Sequence, residues 1–273
     1  MSIRRIKKVA VIGSGIMGSG IACHFANIGV DVLLLNRTGS DEGEADKGFN
    51  LNTDSSNFKI QRVNRLLEKT VNSEPYPLYK KEFISRIKTG NLDTDLPLIR
   101  DYDWVVESVT EDAEVKKKLF IEVEKFRKEG SIVTTNTSGI PIRSLSEGRS
   151  KDFQKHFCGV HFFNPPRYLQ LLEIIPTYET DPELVEFLQH YGDFHLGKDT
   201  IVCNDNPGFI ANRIGVMVFL NVFRVMNDLG LGVAAVDKLT GPISGRAKTA
   251  TFRTADMVGL DTFISLTYLV CKS

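Results

Sequence analysis

Cysteine is scarce in this sequence, and the few cysteines lie far apart. The 273 residues include four of them, Cys23, Cys158, Cys203 and Cys271. They form no Cys-x-x-Cys pair and stand near no histidine cluster, which argues against a zinc site or a disulfide framework. We therefore expect no metal site, and a chain that works in a reducing cytoplasm.

The sequence also lacks long apolar runs and an excess of charge of either sign. No run approaches the roughly 20 apolar residues of a membrane span without a charge or a glycine. Only VAVI follows MSIRRIKK before Gly13, which is too short for the apolar core of a secretory leader. Because 34 basic residues balance 34 acidic ones, neither nucleic acid nor a membrane is favoured as a partner. A small-molecule ligand is the better expectation.

The first thirty-seven residues predict a strand, a glycine turn, a helix and a second strand. Residues 7–12 contain several β-branched side chains and end at Gly13. The apolar side chains that can share one side of the following helix are Ile16, Ala22, Phe25 and Ala26. The run VDVLLL then has the continuous hydrophobicity of a parallel strand buried on both faces.

The turn between this strand and helix carries a G-x-G-x-x-G pattern made by Gly13, Gly15 and Gly18. The first glycine permits a tight turn, the second lets the backbone approach a pyrophosphate, and the third allows close packing of helix on strand. The helix N-terminus offers N–H groups to phosphate oxygens. In this βαβ context we predict a dinucleotide site rather than only a tight turn. The intervening residues expected to contact the cofactor are Ser14, Ile16 and Met17.

The end of the second strand lacks the acidic residue that usually binds the adenosine ribose. Asn36, Arg37 and Thr38 stand there instead. Asparagine can still bind a ribose hydroxyl, but it does not repel a 2′-phosphate, and Arg37 could pair with one. NADP is therefore an alternative to NAD. Arg37 could equally stack on adenine or face water.

Residues 39–90 interrupt the alternation of strands and helices, and we predict a helical insertion near residues 50–90. In the segment FKIQRVNRLLEKTV the apolar residues at helical spacing are Phe58, Val63, Leu66, Leu67 and Val71. A basic face is made by Lys59, Arg62, Arg65 and Lys69. That face is either solvated surface or a place that holds the phosphorylated tail of a substrate.

Alternation resumes with the strand WVVESVT, the helix VKKKLFIEVEKF and the strands SIVTTNT and GVHFF. This order predicts an α/β fold with a Rossmann-type, doubly wound, mostly parallel sheet. Ligands of such sheets bind at the carboxyl ends of the strands. The polar residues within or just after those ends are Glu107, Glu111, Asn136, Ser138 and His161.

Four motifs in order, GSGIMGSGIA, NTSGIPI, HFFNPPRYLQLLEII and NPGFIANR, resemble the 3-hydroxyacyl-CoA dehydrogenase family over essentially the whole chain. The resemblance implies NAD-dependent oxidation of an L-3-hydroxyacyl-CoA to the 3-ketoacyl-CoA, in fatty-acid β-oxidation or in butyrate-type metabolism. Such an oxidation needs a base for the hydroxyl proton, and an imidazole suits this because its ordinary pKa of about 6.5 lies near the operating pH.

The resemblance also implies the catalytic residues. His161 matches the catalytic histidine, and Glu173 matches the carboxylate that orients it and stabilises the imidazolium. Burying that acid among leucine and isoleucine would be costly without a partner. Ser138 and Asn212 match the groups that hydrogen-bond the substrate oxygen. Outside this context, a core histidine, a serine helix cap and a surface asparagine would be the ordinary interpretations.

Further cofactor contacts follow from the same resemblance. Glu111 and Lys116 match positions that contact the cofactor, and Asn136 and Asn164 match positions near the nicotinamide. The two charged residues could alternatively belong to a solvated helix start, where Glu111 and Asp112 would interact with the positive end of the helix dipole.

The chain departs from the family pattern at Asn36 and in its length after NPGFIANR. We expect a dinucleotide-binding domain over residues 1–203 and a partial helical domain over residues 204–273. The later sequence is similar to the dehydrogenase part of proteins fused to an enoyl-CoA hydratase. We expect a homo-oligomer or completion by another polypeptide. A non-catalytic dinucleotide-binding scaffold and an NADP-linked reductase of a smaller hydroxy acid are the alternative functions.

Overall fold

The computed structural model describes residues 4–37 and 56–271, and within these ranges eight strands form one sheet. In chain order the strands are β1 (Lys8–Ile12), β2 (Asp31–Asn36), β3 (Ile87–Asn91), β4 (Trp104–Glu107), β5 (Ile132–Thr135), β6 (Phe157–Phe162), β7 (Leu171–Pro176) and β8 (Asp199–Val202). Their order across the sheet is β3-β2-β1-β4-β5-β6-β7-β8. Thr38 and the acidic, glycine-rich stretch that follows it lie outside the described residues.

The helices alternate with these strands up to β8 and then follow one another. In chain order they are α1 (Ile16–Asn27), α2 (Ser56–Val71), α3 (Leu92–Asp95), α4 (Ala113–Phe126), α5 (Ile142–Ser146), α6 (Lys151–Lys155), α7 (Pro182–Phe194), α8 (Ala211–Asp228), α9 (Val233–Leu239), α10 (Phe252–Val258) and α11 (Leu260–Cys271). Short 3-10 turns span Lys81–Arg86, Leu96–Asp101 and Pro242–Ser244. None of the helices in the described ranges has the length and apolar content to cross a bilayer.

The first six strands are parallel, and their order reverses between β1 and β4. A crevice for a ligand is expected at such a reversal, outside the carboxyl ends of the strands. Strand β7 runs antiparallel to β6 because the eight residues 163–170 between them are too few for a parallel crossover. This turn brings β7 back along the edge of β6, and β8 then pairs parallel to β7.

Both faces of the sheet are covered by apolar packing. On one face the ring of Phe25 in α1 meets Trp104 of β4 edge-on, with centroids 5.2 Å apart. On the other, Phe120 of α4 contacts Phe157 of β6 at 5.1 Å, and Phe153 stacks on Phe157 at 5.2 Å. Burying aromatic rings of this size supplies much of the stabilisation of such a core.

Two details differ from the sequence-based expectation. Strand β3 was not predicted, because Lys88, Thr89 and Gly90 interrupt its short apolar pattern, yet it pairs with β2 over five residues. Ile16 was predicted on the buried side of α1, but it is 71% exposed at the first turn of the helix. Ala22, Phe25 and Ala26 are buried as predicted. The chain divides into two compact units, Met1–Asp205 and Asn206–Ser273.

The second unit consists of helices α8 to α11 around a cluster of phenylalanine rings. Phe219 of α8 lies 4.9 Å from Phe263 of α11, and Phe223 stacks on Phe252 of α10 at 5.3 Å. Asp237 in α9 accepts backbone hydrogen bonds at the start of α10, from Phe252 N at 2.7 Å among others. The carboxylate thereby satisfies N–H groups that a helix start leaves without intrahelical partners.

Candidate active site

Backbone hydrogen bonds tie the carboxyl ends of neighbouring strands together. Gly13 N donates to Leu35 O at 2.7 Å, Ser108 N donates to Ile12 O at 2.8 Å, and Asn136 N donates to Glu107 O at 2.8 Å. The segments that leave β1, β4 and β5 therefore start from one connected edge of the sheet. The polar residues predicted at the strand ends lie along this edge.

The three glycines of the turn after β1 play separable roles. Gly13 has φ of +109°, and a Cβ there would lie 2.2 Å from Ser108 O. A Cβ on Gly18 would lie 1.8 Å from Gly13 O, so this position needs glycine for packing of α1 on the turn. A Cβ on Gly15 would meet no atom within 4 Å. Packing therefore explains the first and third glycines, whereas Gly15 borders open space, so a ligand can lie close to the protein backbone there.

The start of α1 suits an anion. Gly15 is the N-cap and supplies no side chain, and the first turn of α1 contains no acidic residue. Ser14 is buried, and its Oγ accepts a 2.7 Å hydrogen bond from Asn36 Nδ2 at the end of β2. Met17 is half-buried and packs against the core. These residues fit the pyrophosphate of a dinucleotide, because the N-terminal N–H groups carry positive partial charge.

Arg37 follows Asn36 and meets a carboxylate. Its Nε lies 3.3 Å from Oδ1 of Asp93, which is in α3 just after β3. The Arg37 backbone N–H donates to Asn36 Oδ1 at 2.9 Å. The alternative in which Arg37 only faces water is therefore incomplete, because the guanidinium has an acidic partner.

A buried ion pair lies at the end of β4. Lys116 Nζ is 2.6 Å from Glu107 Oε1, and the two side chains are 1% and 0% exposed. Glu107 Oε2 accepts a 2.5 Å hydrogen bond from Thr135 Oγ1, and Glu107 Oε1 accepts one from Val109 N at 2.6 Å. The alternative that placed Lys116 on a solvated helix start is wrong.

Glu111 holds the segment that follows β5. Its Oε1 accepts hydrogen bonds from Thr137 Oγ1 at 2.5 Å, from Ser138 N at 2.9 Å and from Gly139 N at 3.2 Å. Its Oε2 lies 3.5 Å from Lys116 Nζ. Asp112, the next residue, caps α4 by accepting from Val115 N at 2.9 Å. Glu111 thus connects the buried ion pair to the backbone that carries Ser138.

His161 and Glu173 face each other across the two antiparallel strands. They are register partners in β6 and β7, and Nδ1 of His161 lies 2.8 Å from Oε2 of Glu173. The Glu173 side chain is fully buried and the His161 side chain nearly so. A buried carboxylate accepts hydrogen bonds and cannot donate them when ionised, so we assign the Nδ1 proton to this bond.

The other ring nitrogen of His161 points to Ser138. Ser138 Oγ lies 3.2 Å from Nε2, which carries the lone pair once the proton is on Nδ1. Ser138 is not a helix cap, since α5 begins four residues later at Ile142 with Pro141 as its N-cap. The hydroxyl, the imidazole and the carboxylate form a hydrogen-bonded row, which we call the Ser138–His161–Glu173 row.

The remaining predicted site residues differ in how far the structure connects them to this row. Asn136 Oδ1 accepts a 2.8 Å hydrogen bond from Phe162 N, so it links the end of β5 to β6 next to His161. Asn164 lies two residues beyond the end of β6. Asn212 is the second residue of α8 and belongs to the other compact unit. Its contribution to the site stays a prediction.

The sequence model of the family described as "3-hydroxyacyl-CoA dehydrogenase, NAD binding domain" matches residues 8–206 of this chain. The chain belongs to the 3-hydroxyacyl-CoA dehydrogenase family. This family assignment confirms the resemblance predicted from the four motifs. The strand order β3-β2-β1-β4-β5-β6 confirms the Rossmann-type fold.

Curated relatives and solved structures of this family cover most of the chain. A probable 3-hydroxyacyl-CoA dehydrogenase of Bacillus subtilis is 48% identical over 95% of this chain and 33% of its own length. One of Deinococcus radiodurans is 44% identical over 94% of this chain and 70% of its own length. The structure of (S)-3-hydroxybutyryl-CoA dehydrogenase from Ralstonia eutropha matches with a TM-score of 0.74 at 25% identity, over 98% of this chain and 88% of that one. The chain thus spans about a third of the length of the Bacillus relative.

The structure connects several residues to the site that the sequence alone did not indicate. Thr137 and Asp93 were not singled out, and Glu107 was noted only for its place at a strand end. An acid inside the apolar run of β4 was the available signal for Glu107, because a buried carboxylate requires a partner. Nothing comparable marked Asp93, since the strand before it was not predicted.

Proposed function

We propose that this chain catalyses the NAD-dependent oxidation of an L-3-hydroxyacyl-CoA to the 3-ketoacyl-CoA, and the reverse reduction. The observation that carries the proposal is the Ser138–His161–Glu173 row in a chain of this family. Such a reaction needs a base, a hydrogen-bond donor to the reacting oxygen and a carboxylate that orients the base.

His161 takes the proton from the substrate hydroxyl. Its Nδ1 proton is engaged by Glu173, so the lone pair on Nε2 is available as a base. The proton moves from the C3 hydroxyl oxygen to Nε2, and the oxygen becomes the carbonyl of the product. In the reduction, Nε2–H returns the proton to that oxygen. Glu173 stabilises the positive imidazolium in either direction, because an opposite charge at 2.8 Å favours the charged form.

Ser138 positions the reacting oxygen. Its Oγ and His161 Nε2 are 3.2 Å apart, so one substrate oxygen can lie within hydrogen-bond distance of both. The serine hydroxyl donates to the oxygen and stabilises the negative charge that develops on it. We propose Asn212 as a second donor, on the strength of the family resemblance.

The cofactor is held by the turn from Gly13 to Gly18 and by Asn36. Gly15 leaves space for the pyrophosphate, and the N–H groups at the start of α1 bind its oxygens. We propose that Glu111, Lys116, Asn136 and Asn164 contact the nicotinamide end. When bound, NAD accepts the hydride from C3 and so supplies the oxidising power. The Ser138–His161–Glu173 row positions the substrate for that hydride transfer and transfers the proton of its C3 hydroxyl.

The substrate tail is proposed to lie along the basic face of α2. Arg62 and Arg65 are half-buried and Lys69 is exposed, and cations of this kind bind phosphate groups. The side chain of Lys59 lies outside the described residues. We also propose a cytoplasmic location, supported by the buried cysteines Cys23, Cys158 and Cys203, which form no disulfide within the described part of the chain. Assembly with a second copy or another polypeptide is likewise a proposal.

The test is turnover of acetoacetyl-CoA, followed by the absorbance of the reduced nicotinamide. Wild type should oxidise NADH, and His161→Ala should lose about 10²- to 10⁴-fold in kcat. The control is His190→Ala, since His190 is an exposed histidine of α7. Wild-type protein that binds NADH yet turns over nothing would leave a non-catalytic scaffold as the function. A preference for NADPH with a small hydroxy acid would favour the reductase alternative.

A further inference from the structure

In a doubly wound fold the residue at the end of β2 faces the adenosine ribose, and here β3 ends directly beside it. Asn36 and Asn91 are register partners, so Arg37 and Asp93 lie just beyond adjacent strand ends. The Arg37 guanidinium is 3.3 Å from the Asp93 carboxylate. Both side chains reach solvent, with exposed fractions of 65% and 47%, so a ligand can meet either of them.

Asn36 itself carries no charge that selects between the two nicotinamide cofactors. Its Nδ2 donates to Ser14 Oγ at 2.7 Å, and its Oδ1 accepts from Arg37 N at 2.9 Å. In related folds an acid at this place favours NAD, and a nearby arginine accommodates the 2′-phosphate of NADP. Arg37 alone would therefore favour NADP, because guanidinium binds phosphate in a charge-assisted, bidentate manner.

We propose that Asp93 is the specificity-determining residue for NAD, because its carboxylate pairs with Arg37 and opposes a 2′-phosphate that would bind this arginine. The inference rests on the proposed cofactor role of the glycine turn. An acid at the end of β3 thereby replaces, from the neighbouring strand, the acid that the end of β2 lacks.

The backbone keeps Asp93 in this place. Its N–H donates to Asn91 Oδ1 at 2.9 Å, and Asn91 N donates to Asp95 Oδ2 at 2.7 Å. Asp95 is thus engaged in holding the turn, whereas the carboxylate of Asp93 contacts Arg37. Neutralising Asp93 therefore changes the charge beside Arg37 and leaves the hydrogen bonds of the turn in place.

The size of the effect follows from two contributions. An exposed ion pair is itself weak, so releasing Arg37 gives only a small gain. Removing a carboxylate a few ångströms from a doubly charged phosphate also relieves a repulsion of similar size in a partly solvated site. Together they predict that Asp93→Asn tightens NADPH binding by about tenfold and changes NADH binding by less than about threefold.

The experiment titrates NADH and NADPH separately into each protein and follows the fluorescence of the reduced nicotinamide. The proteins are wild type, Asp93→Asn, Arg37→Gln and the double variant. Asp101→Asn is the charge-matched control, because Asp101 ends the 3-10 turn that leads into the amino end of β4, whereas Arg37 and Asp93 follow the carboxyl ends of β2 and β3. The gain in NADPH affinity should be present in Asp93→Asn and absent from the double variant, which lacks the arginine.

Three outcomes would overturn the inference. The first is equal affinity of wild type for NADH and NADPH. The second is that Asp93→Asn gains no affinity for NADPH. The third is a gain in NADPH affinity that persists in the double variant or also appears in Asp101→Asn. The titration needs no turnover. A wild type that prefers NADH in binding but reduces no acetoacetyl-CoA would refute the proposed reaction and leave the role of Asp93 standing.

Discussion

The imidazole of His161 and the carboxylate of Glu173 are direct partners across β6 and β7, with 2.8 Å between Nδ1 and Oε2. The contact arises from the register of the two antiparallel strands, which sets His161 opposite Glu173. Directly opposed residues of antiparallel strands project to the same face, so both side chains reach the same side of the sheet. The carboxylate is therefore held against the imidazole by the register of the sheet itself, and the contact between them depends on no loop.

Replacing this acid tests the proposed function. Glu173→Gln keeps the size of the side chain and removes its charge, so the imidazolium, which forms during oxidation and donates the proton during reduction, loses its stabilisation. We expect kcat to fall by about 10²-fold or more, since a misoriented base forfeits most of general-base catalysis. The measurement is turnover of acetoacetyl-CoA with NADH over a range of pH.

Glu186→Gln is the control, because Glu186 is an exposed glutamate of α7 and its replacement removes the same charge. Circular dichroism and NADH binding establish that each variant is folded. Unchanged kcat in folded Glu173→Gln would contradict the role given to the carboxylate.

How much of this site the sequence predicts depends on how far apart along the chain the contacting residues lie. The glycine turn, α1 and β2 follow each other closely, and their local patterns indicated a βαβ unit correctly. The pairing of His161 with Glu173 came from the family resemblance, because an eight-residue connection leaves the strand register open. The contact of Arg37 with Asp93 could not be predicted, because it depends on the position of β3. The sequence of that strand, IKTGN, shows too little alternation of apolar and polar residues to indicate a strand.

The glycines of the turn supply a second prediction, in which two similar substitutions differ in outcome. Gly15→Ala adds a Cβ that meets no protein atom within 4 Å, so the free energy of unfolding should change by less than about 1 kcal/mol. Binding of NADH should weaken at least about tenfold, because the methyl group occupies space next to the pyrophosphate.

Gly18→Ala is the matched comparison. Its Cβ would lie 1.8 Å from Gly13 O, so the turn or α1 must shift, and we expect a loss of about 2 kcal/mol or more in unfolding free energy. Denaturant titration measures stability, and nicotinamide fluorescence measures binding. If Gly15→Ala bound NADH as wild type does, the pyrophosphate would lie elsewhere.

A third prediction concerns the ion pair of Glu107 and Lys116. Removing one partner by Lys116→Met leaves a buried carboxylate, and we expect a loss of about 3–5 kcal/mol in unfolding free energy. The double variant Glu107→Gln/Lys116→Met removes both charges and should recover part of that loss. The comparison is made by denaturant titration of the two single variants and the double variant.

Lys117→Met provides the control, because the neighbouring Lys117 pairs with Glu114 on the exposed side of α4. An exposed pair contributes at most about 1 kcal/mol, so this variant should be nearly as stable as wild type. Additive losses in the double variant would mean that the two buried charges are not coupled in the folded chain.

A fourth prediction concerns His24, which α1 buries on the face of the sheet that carries Trp104. Its Nε2 lies 3.0 Å from Leu196 O, and Nδ1 has no hydrogen-bond partner among the described residues. Burial, together with the positive charge of Lys198, lowers the pKa of His24 to about 4. In the unfolded chain the same imidazole titrates near pH 6.5.

The sign of the effect follows from proton uptake. Between pH 6.5 and 4 the unfolded chain binds a proton at His24 that the folded chain does not, so the free energy of unfolding falls as the pH falls. A shift of this size corresponds to a loss of up to about 3 kcal/mol across that interval. The stabilisation is present above pH 6.5, and acid removes it.

His24→Gln isolates this contribution from those of other titrating groups. Glutamine keeps an N–H donor for Leu196 O and does not titrate, so the variant should lose a little stability at pH 7 and much less than wild type between pH 6.5 and 4. Denaturant titrations at pH 7.0 and near pH 4.5 measure the difference, and His195→Gln, at an exposed position, serves as the control. Parallel pH profiles for wild type and His24→Gln would mean that the folded chain protonates His24 as readily as the unfolded one, against the burial that the packing of α1 imposes.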